Sequence, residues 1–222
     1  MTSAQGKTVI VTGAAGGLGK ALASAFLAAG ANVAVCDVHA DRLASVEEEW
    51  TKSYADKFLT RQTDVTDEAA VQKLIDDAVA KFGRLDILIN SAGIMDGFEP
   101  AGACSKEKWD RILNINLNGP FLATKAAVAQ FEKQEPACSV IINIGSIASV
   151  HGFKAGAAYS VSKAALMALT KNTAGFYGDK GIYSIGLMLG GMSDTDGVAG
   201  KTLTVFSGMD TNITDAFAQG SK

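Results

Sequence analysis

Positive charge is scarce in this chain: 20 lysines and arginines stand against 23 aspartates and glutamates, a formal net charge of −3 over 222 residues. With that balance, no basic cluster and no stretch alternating basic and aromatic residues, the sequence lacks an electrostatic footprint for nucleic acid. Cysteine is just as sparse. Cys36, Cys104 and Cys138 are odd in number, widely spaced and form no Cys-x-x-Cys pair, which predicts free thiols rather than a disulfide framework or a thiolate metal site. His39 and His151 are the only histidines and lack the spacing of paired ligands, so no metal is expected. No apolar run reaches the length of a membrane span, and the opening segment, residues 1–7, enters a strand without an apolar targeting core. The expectation is a cytoplasmic protein with no membrane partner.

What is present is apolar and glycine-rich. Hydrophobic residues make up 48% of the chain and glycines number 24, a composition suited to a compact, turn-rich fold with a sizeable core. Strand-like runs at 8–11, 32–36, 58–61, 86–89, 140–144 and 183–187 alternate with helical stretches at 20–29, 41–54, 68–82, 108–132 and 159–177. Repeated βα units imply an α/β fold with a doubly wound, mostly parallel, Rossmann-like sheet. Ile87-Leu88-Ile89 and Val140-Ile141-Ile142 are apolar on successive residues, as strands are when helices cover both faces. No linker interrupts the pattern, so residues 1–222 read as one domain.

Ligands in such a sheet bind beyond the carboxyl ends of the strands. There, the first run is followed by Thr12-Gly13-Ala14-Ala15-Gly16-Gly17-Leu18-Gly19, a candidate cradle for a dinucleotide pyrophosphate at a helix N-terminus. Asp37 ends the second run about twenty residues further on, placed to accept hydrogen bonds from an adenosine ribose diol. A carboxylate there repels a 2′-phosphate, which favours NAD over NADP; Arg42 reads either as a phosphate partner or as a helix-surface charge. Asp64-Val65 follows the third run and Asn90-Ser91-Ala92-Gly93 the fourth. Asp64 suits a cofactor contact or a helix cap before Glu68, and Asn90 a cofactor contact or a strand terminator.

Tyr159-Ser160-Val161-Ser162-Lys163 lies in a helical stretch, so its tyrosine and lysine share one face. Bringing a phenol from ~10 to about 7 takes roughly 4 kcal/mol, which one ammonium at ~4 Å supplies at an effective dielectric of ~20. Ser146 closes the fifth run within reach of the same crevice. Asn116, inside Asn114-Ile115-Asn116-Leu117-Asn118, is a poor helix former and reads as a functional residue, a surface residue or a local kink.

With these motifs in this order from roughly Lys7 to Gly190, the chain closely resembles the short-chain dehydrogenase/reductase family. The resemblance implies a catalytic set of Asn116, Ser146, Tyr159 and Lys163. It implies a cofactor site of Gly13, Gly17, Leu18, Gly19, Asp37, Asp64, Val65, Asn90, Ala92, Gly93, Tyr159, Lys163, Gly190 and Thr195. Tyr159 then acts as general acid or base, Ser146 holds the substrate oxygen, Lys163 binds the nicotinamide ribose and lowers the tyrosine pKa, and Asn116 helps hold a proton-carrying water. No metal is required, since two hydroxyls meet the charge on the substrate oxygen. A homodimer or homotetramer joined through the helices at 108–132 and 159–177 is also implied.

The resemblance weakens beyond Gly190, so 1–190 reads as the matched core and 191–222 as an atypical segment. Either Thr195 or Thr211 corresponds to the threonine of the nicotinamide loop. In the first register residues 201–206 supply the final strand. The stretch between Leu189 and Thr202 is barely long enough for a parallel crossover, which predicts an antiparallel edge strand or an irregular terminus. Two functions follow: NAD(H)-dependent oxidation or reduction of a small secondary alcohol or carbonyl compound, or nucleotide binding with little catalysis, as a sensor or scaffold with a reduced lid.

Overall fold

Successive side chains of a strand point to opposite faces, so a strand apolar at every position needs cover on both. Val9 and Val11 face one way, into a cluster with Val33, Val35, Ile89, Leu27 and Trp50. Ile10 faces the other, with Leu88, Ile141, Leu74, Ile75 and Phe131. The computed structural model describes residues 4–135, 138–190 and the backbone of 203–206. Its elements in chain order are β1 (Thr8–Thr12), α1 (Gly17–Ala28), β2 (Asn32–Asp37), α2 (Ala40–Tyr54), β3 (Phe58–Gln62), α3 (Glu68–Phe82) and β4 (Ile87–Asn90). There follow α4 (Lys106–Leu113), α5 (Gly119–Phe131), β5 (Ser139–Ser146), α6 (Ala157–Tyr177), β6 (Ile182–Leu189) and β7 (Leu203–Phe206).

The strands lie in the order β3-β2-β1-β4-β5-β6-β7. The first six are parallel, a doubly wound Rossmann-like sheet. Because β1 pairs with β2 on one side and β4 on the other, the order reverses there, and the crevice at the carboxyl ends of β1 and β4 is the topological switch point. β7 pairs antiparallel with β6, Leu189 opposite Leu203, so the edge strand takes the direction that a short connection permits. Thr195 and Thr211 lie outside the described residues. Among those described, no helix is long and apolar enough to cross a membrane.

Two local readings need correction. The stretch 108–132 is not one helix: a π-helical turn, Asn114–Asn118, separates α4 from α5 and turns Asn116 fully inward, so the kink holds and the surface position does not. Asp64 does not cap α3. Asp67 does, accepting the N–H groups of Ala69 and Ala70, while Asp64 accepts from the N–H and hydroxyl of Thr66.

Candidate active site

Backbone contact dictates the glycine turn. A Cβ on Gly13, whose φ is +64°, would lie 2.7 Å from the Ala92 Cα, and one on Gly19 would lie 2.3 Å from the Gly13 carbonyl oxygen. Gly13 therefore lets the turn after β1 touch the loop after β4, and Gly19 lets α1 close against that turn. Gly17 also takes a positive φ of 50°, and the half-buried Leu18 packs on the β1 core. The N-cap of α1 is Gly16, with no side-chain cap and no acid in the first turn, so the helix presents N–H groups to an anion. Thr12 ties the two loops together: its hydroxyl accepts the N–H groups of Ser91 and Ala92, each at 3.1 Å.

Asp37, at the end of β2, is held by its own surroundings, its carboxylate accepting the Ala15 N–H at 3.2 Å and the His39 N–H at 3.1 Å. Cys36 beside it is buried, which pushes its thiol up to about 12 and leaves it unreactive. At the end of β3 the exposed Asp64 is engaged locally, and Val65 packs under α5, where a Cβ on Gly119 would come within 2.8 Å of its Cγ2. Asn90 is buried, donating to Asn143 Oδ1 at 2.8 Å. Its side chain braces β4 against β5. Gly190 follows directly on β6.

Three segments far apart in sequence meet at Gly93. A Cβ there would lie 3.3 Å from Asn116 Oδ1 and 3.4 Å from Lys163 Nζ. The Asn116 amide grips the loop after β4, accepting the Ile94 N–H at 2.8 Å and donating to the Ile94 carbonyl at 2.9 Å. It also donates to Ser162, whose hydroxyl donates to the Tyr159 carbonyl. Lys163 is buried and donates to the Ile144 carbonyl of β5 at 2.8 Å. Ser146 ends β5, its hydroxyl accepting the Ala148 N–H at 3.1 Å, and its side chain neighbours that of Tyr159.

Burial pushes the Tyr159 phenol above its ordinary range; the neighbouring Ser146 side chain opposes the rise and the Asp96 carboxylate adds to it. Burial also pushes the Lys163 ammonium down to about 8. The net displacement of the phenol is upward. Desolvation disfavours charge on both groups, and the ammonium, 5.7 Å from the ring centroid, spends a hydrogen bond on the Ile144 carbonyl. Three residues were not assigned roles from sequence: Thr12, Ser162 and Asp96, which accepts the N–H groups of Gly156 and Tyr159. Only Thr12 and Ser162 carried a signal, by lying inside motifs already singled out.

Comparison with known proteins agrees with this geometry. The short chain dehydrogenase family matches residues 7–204. The short chain dehydrogenase/reductase dpfgG of Gibberella zeae is 43% identical, over 99% of this chain and 76% of that protein. The 3beta-hydroxysteroid dehydrogenase 2 of Eggerthella lenta is 37% identical, over 80% of this chain and 67% of that protein. A short chain dehydrogenase crystal structure from Mycobacterium smegmatis matches with a TM-score of 0.79 at 33% identity, covering 86% of this chain and 79% of that one. A doubly wound sheet with these relatives defines an oxidoreductase of a family that typically uses a nicotinamide cofactor. The chain belongs to the short-chain dehydrogenase/reductase family.

Proposed function

We propose that this protein transfers a hydride between NAD(H) and a small secondary alcohol or ketone, with Tyr159 as the acid–base group. The observation that carries the reading is the meeting of Ser146, Tyr159 and the buried Lys163 at the loop that Asn116 grips. The name of the Eggerthella lenta relative, a hydroxysteroid dehydrogenase, supports a secondary alcohol or its ketone as substrate.

The cradle fits a dinucleotide, since Gly13 and Gly19 leave no room for side chains where the turn closes on α1. Gly13, Gly17, Leu18 and Gly19 would hold the pyrophosphate, Asp37 the adenosine ribose, and Asp64 and Val65 the adenine side. Asn90, Ala92, Gly93 and Gly190 would line the nicotinamide side, with Lys163 and Tyr159 at its ribose. When bound, the nicotinamide supplies or accepts the hydride. Asp37 selects NAD by repelling a 2′-phosphate.

Ser146 holds the substrate oxygen and Tyr159 donates a proton to it in reduction or removes one in oxidation. A phenol held above its ordinary value is protonated near neutral pH, the form that donates to a carbonyl oxygen. Asn116 and Lys163 lead protons away from the tyrosine. Tyr159→Phe keeps the ring and removes the proton; it should retain NADH binding and lower turnover by roughly a hundredfold or more across a panel of alcohols and ketones. Full turnover in that variant refutes the assignment.

The same reading carries one domain over 1–222 with its cofactor and catalytic core in 1–190. It also carries a homodimer or homotetramer, supported by exposed Phe121 on α5 and Val161 and Phe176 on α6. Free Cys36, Cys104 and Cys138 support a reducing, cytoplasmic setting.

A further inference from the structure

The loop between β4 and α4 carries an acid that reaches across the fold to the helix bearing Tyr159. Asp96 Oδ1 accepts the Gly156 N–H at 2.9 Å and Oδ2 accepts the Tyr159 N–H at 3.0 Å, across 60 and 63 residues of chain. Gly156 is the N-cap of α6 and provides no side-chain cap. A carboxylate from another segment thus satisfies the donors at the start of α6, where negative charge is also favoured by the helix dipole. The fit is close, because a Cβ on Gly156 would lie 2.4 Å from Asp96 Oδ2.

The loop is held on both sides of this contact. Ahead of it, Asn116 pairs with both backbone groups of Ile94. After it, the Phe98 N–H donates to Asp96 Oδ1 at 3.1 Å and Phe98 takes a φ of +59°, a conformation that costs a bulky residue energy and persists only where surroundings enforce it. Next along, the Glu99 carbonyl accepts the Ala157 N–H and the Glu99 carboxylate pairs with Lys108 of α4.

We propose that Asp96 is a positioning residue for the reaction, fixing the first turn of α6, and with it the Tyr159 phenol, against the loop that carries Gly93. The inference rests on the reading of Tyr159 as the acid–base group. The charge of Asp96 acts on the same phenol, adding to the rise that burial causes. The other charged or titratable groups about the pair are Glu99 on the same loop, Lys108 on α4, Cys104 just before α4 and Lys163 on α6. His151 and Lys154 lie in the segment between β5 and α6.

The test titrates the Tyr159 phenol in the full chain by tyrosine ¹³Cζ NMR. Its resonance among the four tyrosines is assigned by its loss in Tyr159→Phe. Removing an anion favours the phenolate, so Asp96→Asn should move the midpoint down by roughly half a unit or more. Gly156→Ala evicts the carboxylate without altering it. With a substrate found in the panel above, Asp96→Ala and Gly156→Ala should each lower kcat about tenfold and leave NADH affinity unchanged. The double variant should be no worse than Asp96→Ala alone, because both changes break one contact. An unmoved midpoint in Asp96→Asn, or full additivity of the two changes, overturns the proposal. If Asp96→Ala does not fold, Asp96→Asn and Gly156→Ala decide it. Full turnover in Tyr159→Phe, by contrast, sinks the reading of Tyr159, whatever the titration gives.

Discussion

Lys163→Met should make the protein more stable while removing its activity. Lys163 is buried, and burial pushes its ammonium from 10.5 down to about 8. A lysine whose folded value lies below its unfolded value binds its proton more readily when unfolded, so its contribution to stability rises with pH between the two. Below the folded value the full penalty applies: a displacement of about 2.5 units corresponds to about 3 kcal/mol near pH 7. Near pH 9.5, where only the unfolded chain still holds the proton, the penalty shrinks to about 1 kcal/mol, and it disappears above the unfolded value. Methionine keeps the length and apolar stem without the charge, and forfeits one hydrogen bond to Ile144 of about 1 kcal/mol. The net gain should therefore be about 2 kcal/mol near pH 7 and close to nothing near pH 9.5. Urea unfolding of wild type and variant at both pH values measures it. Equal destabilisation of the variant at both values refutes the reasoning, because it would mean that Lys163 carries no desolvation penalty in the fold.

Gly19→Ala puts a methyl group 2.3 Å from the Gly13 carbonyl, and should weaken NADH binding about tenfold or more in a fluorescence titration. Asp67→Ala removes the cap that accepts the N–H groups of Ala69 and Ala70 at 2.9 and 3.1 Å; unfolding should show a loss of about 1 kcal/mol with NADH binding intact.

Elements that repeat along the chain were legible in it. Each parallel strand is a short apolar run followed by a polar or small residue, and all six strands lie on those runs with boundaries shifted by two residues at most. α1 begins at Gly17, ahead of the helical pattern that starts at 20, since glycines carry no helical signal of their own. The π-helical turn at Asn114–Asn118 was harder to read: it adds a residue to a helix without breaking the apolar pattern on either side, and only the run of asparagines hints at it. Within the site, Tyr159, Lys163 and Ser146 were legible because they sit at motif spacings or strand ends. Asp96 was not, because it acts on α6 from 60 residues away and local sequence says nothing about such a contact. Desolvation of the pair is illegible for a related reason: a Tyr-x-x-x-Lys spacing predicts the neighbouring charge, whereas the opposing desolvation depends on what the whole fold packs around the pair.

The most direct test of the account is a fluorescence titration of the full chain with NADH and, separately, with NADPH, since it probes the cradle and Asp37 without needing a substrate. Saturable binding of NADH, tighter than that of NADPH, is the predicted result. Binding of neither would contradict the account at its centre, and tighter binding of NADPH would contradict the role given to Asp37.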